Sequence, residues 1–348
     1  MRRFKPIEGD AIYHCISRTV NGERLFGDRE KEQFRKMLWQ VADFSGVEIL
    51  TYCVLSNHFH LLVRVPEPGE ITDSELMRRY RVLYPKSANY QPALPEVLEA
   101  RLAAGGAEAE QVRARLRQRM ENVSEFMRTL KLRFSIWFNQ SRQRYGPLWS
   151  ERFTSVLVQN NSCALQTIAA YIDLNPVRAG LVSDPRNYRF CGYAEAVAGG
   201  KGAIRGLARL WPEPSENAAS AGSIFADYRM LLFSLGSTAT REQDATIDPT
   251  HADHVLHKEK GALPQSTRFL HRIRYLSRGA VLGTSDFVAS HGSRWQAVNR
   301  RKTSPKTRRC DTEGPAAHLF TLKGVHAPMH SGQAISPGSE TSTSTSAP

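Results

Sequence analysis

The sequence predicts a mixed α+β fold, on three observations. Several short runs alternate apolar and polar residues, the pattern of a half-buried strand. Longer runs repeat their apolar residues at helical spacing. The two kinds of run then follow one another as strand, helix, strand, strand, helix, strand and helix over the first half of the chain.

Ala11–Arg18 (AIYHCISR) reads as the first strand, followed by the turn-forming pair Asn21-Gly22. Asp28 stands where a cap is expected for a helix over 28–45, with Phe34, Leu38, Val41 and Ala42 on one side and Gly46 as its stop. Residues 47–53 and 58–65 read as two strands joined at Ser56-Asn57. The polar stretch 66–120 reads as an insertion. Its helical pieces at 75–83, 96–104 and 108–120 are split by Pro85, Pro92, Pro95 and Gly105-Gly106. The spacing predicts a helix over 124–139 with the stripe Phe126, Leu130, Phe134, Trp137 and Phe138, and with Arg128, Lys131 and Arg133 between. After the break at Gly146-Pro147, residues 153–158 read as a strand and 162–174 as a helix stopped by Pro176.

Beyond Gly192 the pattern weakens. A helix is expected over 225–235, a linker over 236–266 and another small unit over 268–287. Residues 294–309 hold seven Lys or Arg and no acid, and read as a solvated arm. The tail 331–348, mostly Ser, Thr, Gly and Pro, cannot bury a core and is expected to be disordered. The expected organisation is thus a principal domain over 1–195, an accessory region over 196–293, and a basic arm with tail over 294–348.

With 348 residues, 41% of them hydrophobic, the chain can build a sizeable core. Its 47 Lys and Arg against 34 Asp and Glu give a net charge of +13, which points to a polyanionic partner. The five cysteines (Cys15, Cys53, Cys163, Cys191 and Cys310) form no C-x-x-C pair, which argues against a disulfide framework and a zinc ribbon, and for reduced thiols in a cytosol. The start of the chain carries no apolar leader, and no apolar run reaches the ~20 residues of a membrane-spanning helix, so no signal peptide and no membrane partner are expected.

Two motifs carry chemistry. In His58-Phe59-His60, strand alternation sends both imidazoles to one face and Phe59 to the other. Two histidines so placed can share a divalent metal, or can simply sit on a solvated sheet face. In the helix ending AYIDLNP, residues Leu165, Ile168, Ala169 and Ile172 make the buried stripe, while Tyr171 lies off its centre on the side of Thr167 and Asn175. A tyrosine there can offer its hydroxyl beside the Asn175 amide, or be an ordinary half-buried ring with a wet hydroxyl. Together the two motifs suit phosphodiester chemistry, in which a metal on His58, His60 and an oxygen ligand polarises a phosphoryl oxygen and a phenol attacks.

The segments YHCISRTVNGERLFGDREK, VEILTYCVLSNHFHLLVRVPE, SEFMRTLKLRFSIWFNQ, GPLWSERF and AAYIDLNPVRAGLV occur in this order. They closely resemble the single-tyrosine HUH transposases, in particular the REP-associated tyrosine transposases of bacteria, over residues 4–195. YRMLLFSLG and RYLSRGAVLGTSDFV add a weaker likeness further on. The resemblance implies a ferredoxin-like core with an antiparallel sheet and flanking helices. It implies magnesium or manganese as cofactor, and single-stranded, often hairpin-forming, DNA as partner of a cytoplasmic, nucleoid-associated monomer or homodimer. By position it implies that His58 and His60 are the metal pair, Asn175 a further metal ligand, and Tyr171 the nucleophile that takes a 5′-phosphate and frees a 3′-hydroxyl. Ser56 stands where the family more often has Pro, and the stretches after Gly236 depart further.

The other reading of the same residues is a repeat-binding descendant that does not cut. Arg128, Lys131, Arg133, Arg152, Arg300, Arg301 and Lys302 are expected to contact DNA, with Trp149 either stacking on bases or packing in the core. His251, His254 and His257 read as an incidental cluster, Tyr145 and Tyr188 as weak alternatives to Tyr171, and His14 as a structural histidine.

Overall fold

The structure is a computed structural model that describes residues 4–6, 9–85, 93–211, 221–237, 245–258, 276, 279–298, 303–310, 318–323 and 325. Strand β1 (Ala11–Arg18) runs through Asn21, at φ 54°, to helix α1 (Asp28–Ser45). Asp28 is the first helical residue and not the cap. The Glu30 carboxylate instead accepts from the Gly27 N–H at 3.0 Å. Gly46 ends the helix at φ 68°, a left-handed conformation that a side chain resists, and a Cβ there would also meet Arg79 at 2.5 Å. Strands β2 (Glu48–Val54) and β3 (His58–Val65) follow as a hairpin.

The insertion folds as α2 (Asp73–Leu83), α3 (Pro95–Ala104) and α4 (Gly106–Arg117), each within two or three residues of the expected bounds. Then come α5 (Val123–Ser141), β4 (Thr154–Val158) and α6 (Ser162–Asp173). These strands lie in the order β2-β3-β1-β4 with antiparallel pairing throughout. β3 thus separates β1 from β2, which is the ferredoxin-like βαββαβ arrangement.

The sheet has two unlike faces. Phe59 projects to the side of α1 and α5, where its ring lies 4.6 Å from Phe34 and 5.5 Å from Trp149, and Phe34 lies 5.2 Å from Phe134. Dispersion and desolvation of these rings hold that side together. The opposite side, carrying His58 and His60, is covered by α6.

A short helix α7 (Asn175–Arg178) continues from α6, and α8 (Gly192–Val197) and α9 (Lys201–Ala208) pack along β2. Gly206 makes that approach possible, since a Cβ would meet the Ile49 carbonyl oxygen at 2.4 Å. Helices α10 (Ala221–Gly236) and α11 (Pro249–Lys258) pack together, with Ile247, Ala252 and Val255 buried. The linker expected over 236–266 therefore contains a helix, because Pro249 stands at its first position, where the missing N–H costs no hydrogen bond.

The sheet also continues past the expected domain boundaries. β5 (Val281–Gly283) adds parallel to β4, and β6 (Thr307–Arg309) and β7 (Phe320–Leu322) complete the order β2-β3-β1-β4-β5-β7-β6. The expected solvated arm is thus partly ordered. Arg294 belongs to the helix Ser285–Val298 and donates to the Pro6 carbonyl at 3.0 Å, while Thr307–Arg309 pairs in the sheet. Arg300, Arg301, Lys302 and the tail 331–348 lie outside the described residues.

Candidate active site

The β1–β3 register builds the site. Arg18 stands opposite His58, Ile16 opposite His60 and His14 opposite Leu62, so His14 reaches His60 diagonally on the shared face. The imidazole centroids of His14 and His60 are 5.2 Å apart, and those of His58 and His60 are 5.1 Å apart.

The hydrogen bonds assign a tautomer to each ring. A carbonyl oxygen only accepts, so His14 donates from Nδ1 to the Leu276 oxygen at 2.7 Å. Burial holds His14 down to about 4, which leaves it neutral with a bare Nε2. His60 Nδ1, 2.9 Å from that Nε2, therefore carries the hydrogen and donates it. His60 is also held well below the usual range by burial, then by the neighbouring His58 and His14, so its Nε2 keeps a lone pair. At His58 the orientation comes from Asn57, whose amide nitrogen donates to the Gly22 carbonyl at 3.0 Å. Its Oδ1 thus accepts from His58 Nδ1 at 2.7 Å. Burial and, after it, the Arg18 charge hold His58 down to about 4. Both residues of the His-x-His pair consequently present a neutral ring with an unprotonated Nε2.

Helix α6 brings the tyrosine. Asn161 caps its start by accepting from the Ala164 N–H at 2.8 Å. Its end is held by Asp173, fully buried, which accepts from Thr51 Oγ1 at 3.0 and 2.9 Å, from Tyr228 Oη at 2.6 Å and from the Tyr193 N–H at 3.2 Å. Burial pushes Asp173 up to about 7 against these hydrogen bonds. So anchored, α6 sets the Tyr171 ring 5.6 Å from His60 and 5.9 Å from His14. Tyr171 is only 8% exposed, more enclosed than the half-wet ring the helical pattern predicts, because α6 is buried at every residue from Thr167 to Asp173. Asn175 donates from Nδ2 to the Tyr171 and Ile172 carbonyls at 2.8 and 3.3 Å, which leaves the Oδ1 lone pairs as the part of this amide that could accept. The Arg178 guanidinium lies 5.3 Å from the centre of the Tyr171 ring and donates to the Tyr171 carbonyl at 3.1 Å.

The chemistry of the two bare imidazole nitrogens suits a divalent metal, which would take an amide oxygen as a further ligand. No group of three or more His, Cys, Asp or Glu able to hold a metal occurs among the described residues, so a metal on this pair would need a ligand of another kind, such as an amide oxygen.

Residues 9–89 match the family model described as IS200-like transposase. The matched residues include His14, Arg18, His58 and His60, and end before Tyr171. No curated protein matches the chain. A solved structure described as a REP-associated tyrosine transposase bound to a REP hairpin aligns at 16% identity and a TM-score of 0.34, over 63% of this chain and 93% of that one.

The remaining candidates scatter. Trp149 is packed against Phe26 and Phe59 and donates to Ser135 Oγ at 2.8 Å, so of its two readings the structure has the core one. Lys131 donates to the Glu151 carbonyl at 2.8 Å, and burial lowers it to about 8. Arg128 is exposed beside Glu125, Arg133 is half-buried, and Arg152 is exposed. Tyr145 is 95% exposed, whereas Tyr188 donates to the Val54 carbonyl at 2.7 Å. His251 packs on Phe233, at 5.4 Å. Sequence reasoning missed His14, Arg18 and Arg178 as members of the site. Their signal was the strand register, which brings His14 and Arg18 alongside the histidine pair, and for Arg178 the turn that follows Asn175.

Proposed function

We propose that the chain cuts and rejoins single-stranded, hairpin-forming DNA through a covalent bond to Tyr171, with magnesium or manganese as cofactor. The observation that carries this reading is the pair of unprotonated Nε2 atoms on His58 and His60 beside the enclosed Tyr171 ring. His58 Nε2, His60 Nε2 and Asn175 Oδ1 would hold the metal, which when bound polarises a phosphoryl oxygen. Two nitrogen ligands and no carboxylate favour manganese over magnesium.

The Tyr171 oxygen forms a bond to phosphorus as the bond from phosphorus to the 3′ oxygen breaks. The phenol proton passes to solvent, and the departing oxygen takes up a proton to become a 3′-hydroxyl. The 5′-phosphate stays on Tyr171, so attack by another 3′-hydroxyl reverses the step and joins strands. Arg18 and Arg178 place positive charge beside the pair and offset the charge of the incoming phosphate. Arg152, and Arg300, Arg301 and Lys302 further along the chain, hold flanking phosphates.

Incubating the protein with labelled single-stranded hairpins and manganese tests this. A labelled adduct that survives denaturing electrophoresis is expected with the wild type and is absent with Tyr171→Phe or with excess chelator. An adduct of undiminished intensity in Tyr171→Phe would refute the assignment.

A further inference from the structure

Charge and shape coincide at a second place, across the sheet from the histidines. Between α2, α3, α4 and α5 lies a cavity of about 340 Å³. Its wall includes Tyr84 and five arginines, Arg101, Arg115, Arg119, Arg128 and Arg133, and among the described residues no carboxylate. Arg119 lies over the Phe44 and Tyr84 rings at 4.7 and 5.5 Å and donates to the Tyr84 hydroxyl at 2.7 Å. Arg133 lies 5.6 Å from the centre of the same Tyr84 ring, and its buried Nε has no hydrogen-bond partner. Among the described residues only Arg128 of the five is ion-paired, with Glu125.

A purely structural arginine cluster would be expected to hold acids between its members, because like charges repel and a desolvated guanidinium with unmet donors is costly. Here stacking on Tyr84 and Phe44 fixes two guanidinia in place, while their charge is left for something from outside. Guanidinium forks match phosphate oxygens in pairs, and the volume suits a small ligand with an apolar part, which Leu98, Val112 and Leu116 would contact.

We propose that this cavity is a binding site for a single phosphate-bearing nucleotide. Its source is a nucleotide of the single strand or a free mononucleotide; the strand source rests on the function proposed above. Phe44 belongs to α1, on the aromatic side of the sheet, so a nucleotide held here is remote from Tyr171 and contributes affinity and not chemistry.

The test is the double variant Arg101→Glu, Arg115→Glu, whose changes fall on exposed rim positions, with Arg133→Gln as a milder second variant inside the cavity. Anisotropy of a labelled single-stranded oligonucleotide on the full chain is measured against salt, without metal. We expect an affinity loss of about fivefold or more and a salt slope shallower by about 0.7 for each phosphate that the variant no longer neutralises, with unchanged adduct formation at saturating DNA. Deoxyadenosine monophosphate and inorganic phosphate, titrated with thermal melting as readout, separate the sources. Stabilisation of the wild type but not the variants by the mononucleotide marks a free-nucleotide site, and an effect with the oligonucleotide alone marks the strand. Equal affinity and slope in wild type and variants, together with no stabilisation by either small ligand, would overturn the proposal. A wild type that forms no adduct yet binds in a variant-sensitive way would defeat the tyrosine mechanism and leave the nucleotide site standing.

Discussion

Phe59 and its two neighbours, His58 and His60, are adjacent in the chain and face opposite worlds. Phe59 enters a ring cluster with Phe34 and Trp149 whose contacts are dispersion and desolvation. His58 and His60 enter a face where each ring is oriented by a hydrogen bond from its Nδ1, to Asn57 for one and to His14 for the other. The comparison teaches that one strand can carry a packed ring cluster on odd residues and an oriented polar face, to which the proposed function assigns the chemistry, on even ones. Mutations at consecutive positions should then fail in different ways.

The largest effect is expected from His60→Ala, which removes one of the two paired nitrogens. Manganese-dependent adduct formation should fall by at least about 100-fold, with the melting temperature far less affected. A variant that cuts normally would end the division between the faces. Phe59→Ala should behave oppositely, costing about 3–5 kcal/mol in denaturant unfolding, because the neighbouring rings cannot close the gap. The fraction that stays folded should bind manganese as the wild type does, and weakened metal binding in that fraction would show the faces to be coupled.

His14→Gln sharpens the contrast, since it disturbs the orientation of His60 without touching the ring cluster. Manganese affinity by calorimetry should fall about 10–100-fold. An unchanged affinity would mean that the His14–His60 hydrogen bond does not set the tautomer.

The smallest effect is on stability against pH. His14 and His58 are held at about 4 and His60 lies below its usual 6.5, so between about 4 and 6.5 the unfolded chain binds more protons than the folded one. The stability associated with these neutral rings is whole above 6.5 and is lost as pH falls toward 4. Asp173 works the other way, because its folded value is raised from 3.8 to about 7 and its contribution is lost as pH rises through that range. Three imidazoles outweigh one carboxyl, so the melting temperature should drop between pH 7 and pH 4.5, and drop less in His14→Gln. A flat or rising profile would contradict the buried, neutral state of the three rings.

Much of the fold was legible because the elements obey local rules. β1 and β3 alternate, α1 ends at a glycine able to take positive φ, and the insertion helices are separated by proline and glycine. The continuation of the sheet through β5, β7 and β6 was not legible, since these strands are three residues long and their pairing is non-local. The seven basic residues of 294–309 were read as solvated because charge alone cannot tell an arm from an edge strand. At the site, the shared face of His58 and His60 and the position of Tyr171 one turn before Asn175 were readable from spacing, while the roles proposed for them came from the resemblance; His14 was read only as a structural histidine. Its role depends on a register that places it diagonally to His60, and on a carbonyl at Leu276, 262 residues away in the chain. The arginine cavity was half-visible: Arg128 and Arg133 stood out on α5, while Arg101, Arg115 and Arg119 converge on them only through the packing of the insertion helices.

The central claim is that the polar face works as one unit ending in a covalent bond to DNA. Its most direct test is peptide mapping by mass spectrometry after reaction with a single-stranded hairpin and manganese, followed by nuclease trimming. The account predicts a nucleotide remnant, joined through its 5′-phosphate, on the phenol of Tyr171. A remnant on Tyr145, Tyr188 or a serine would contradict it, as would an unmodified protein that has nonetheless cut the strand.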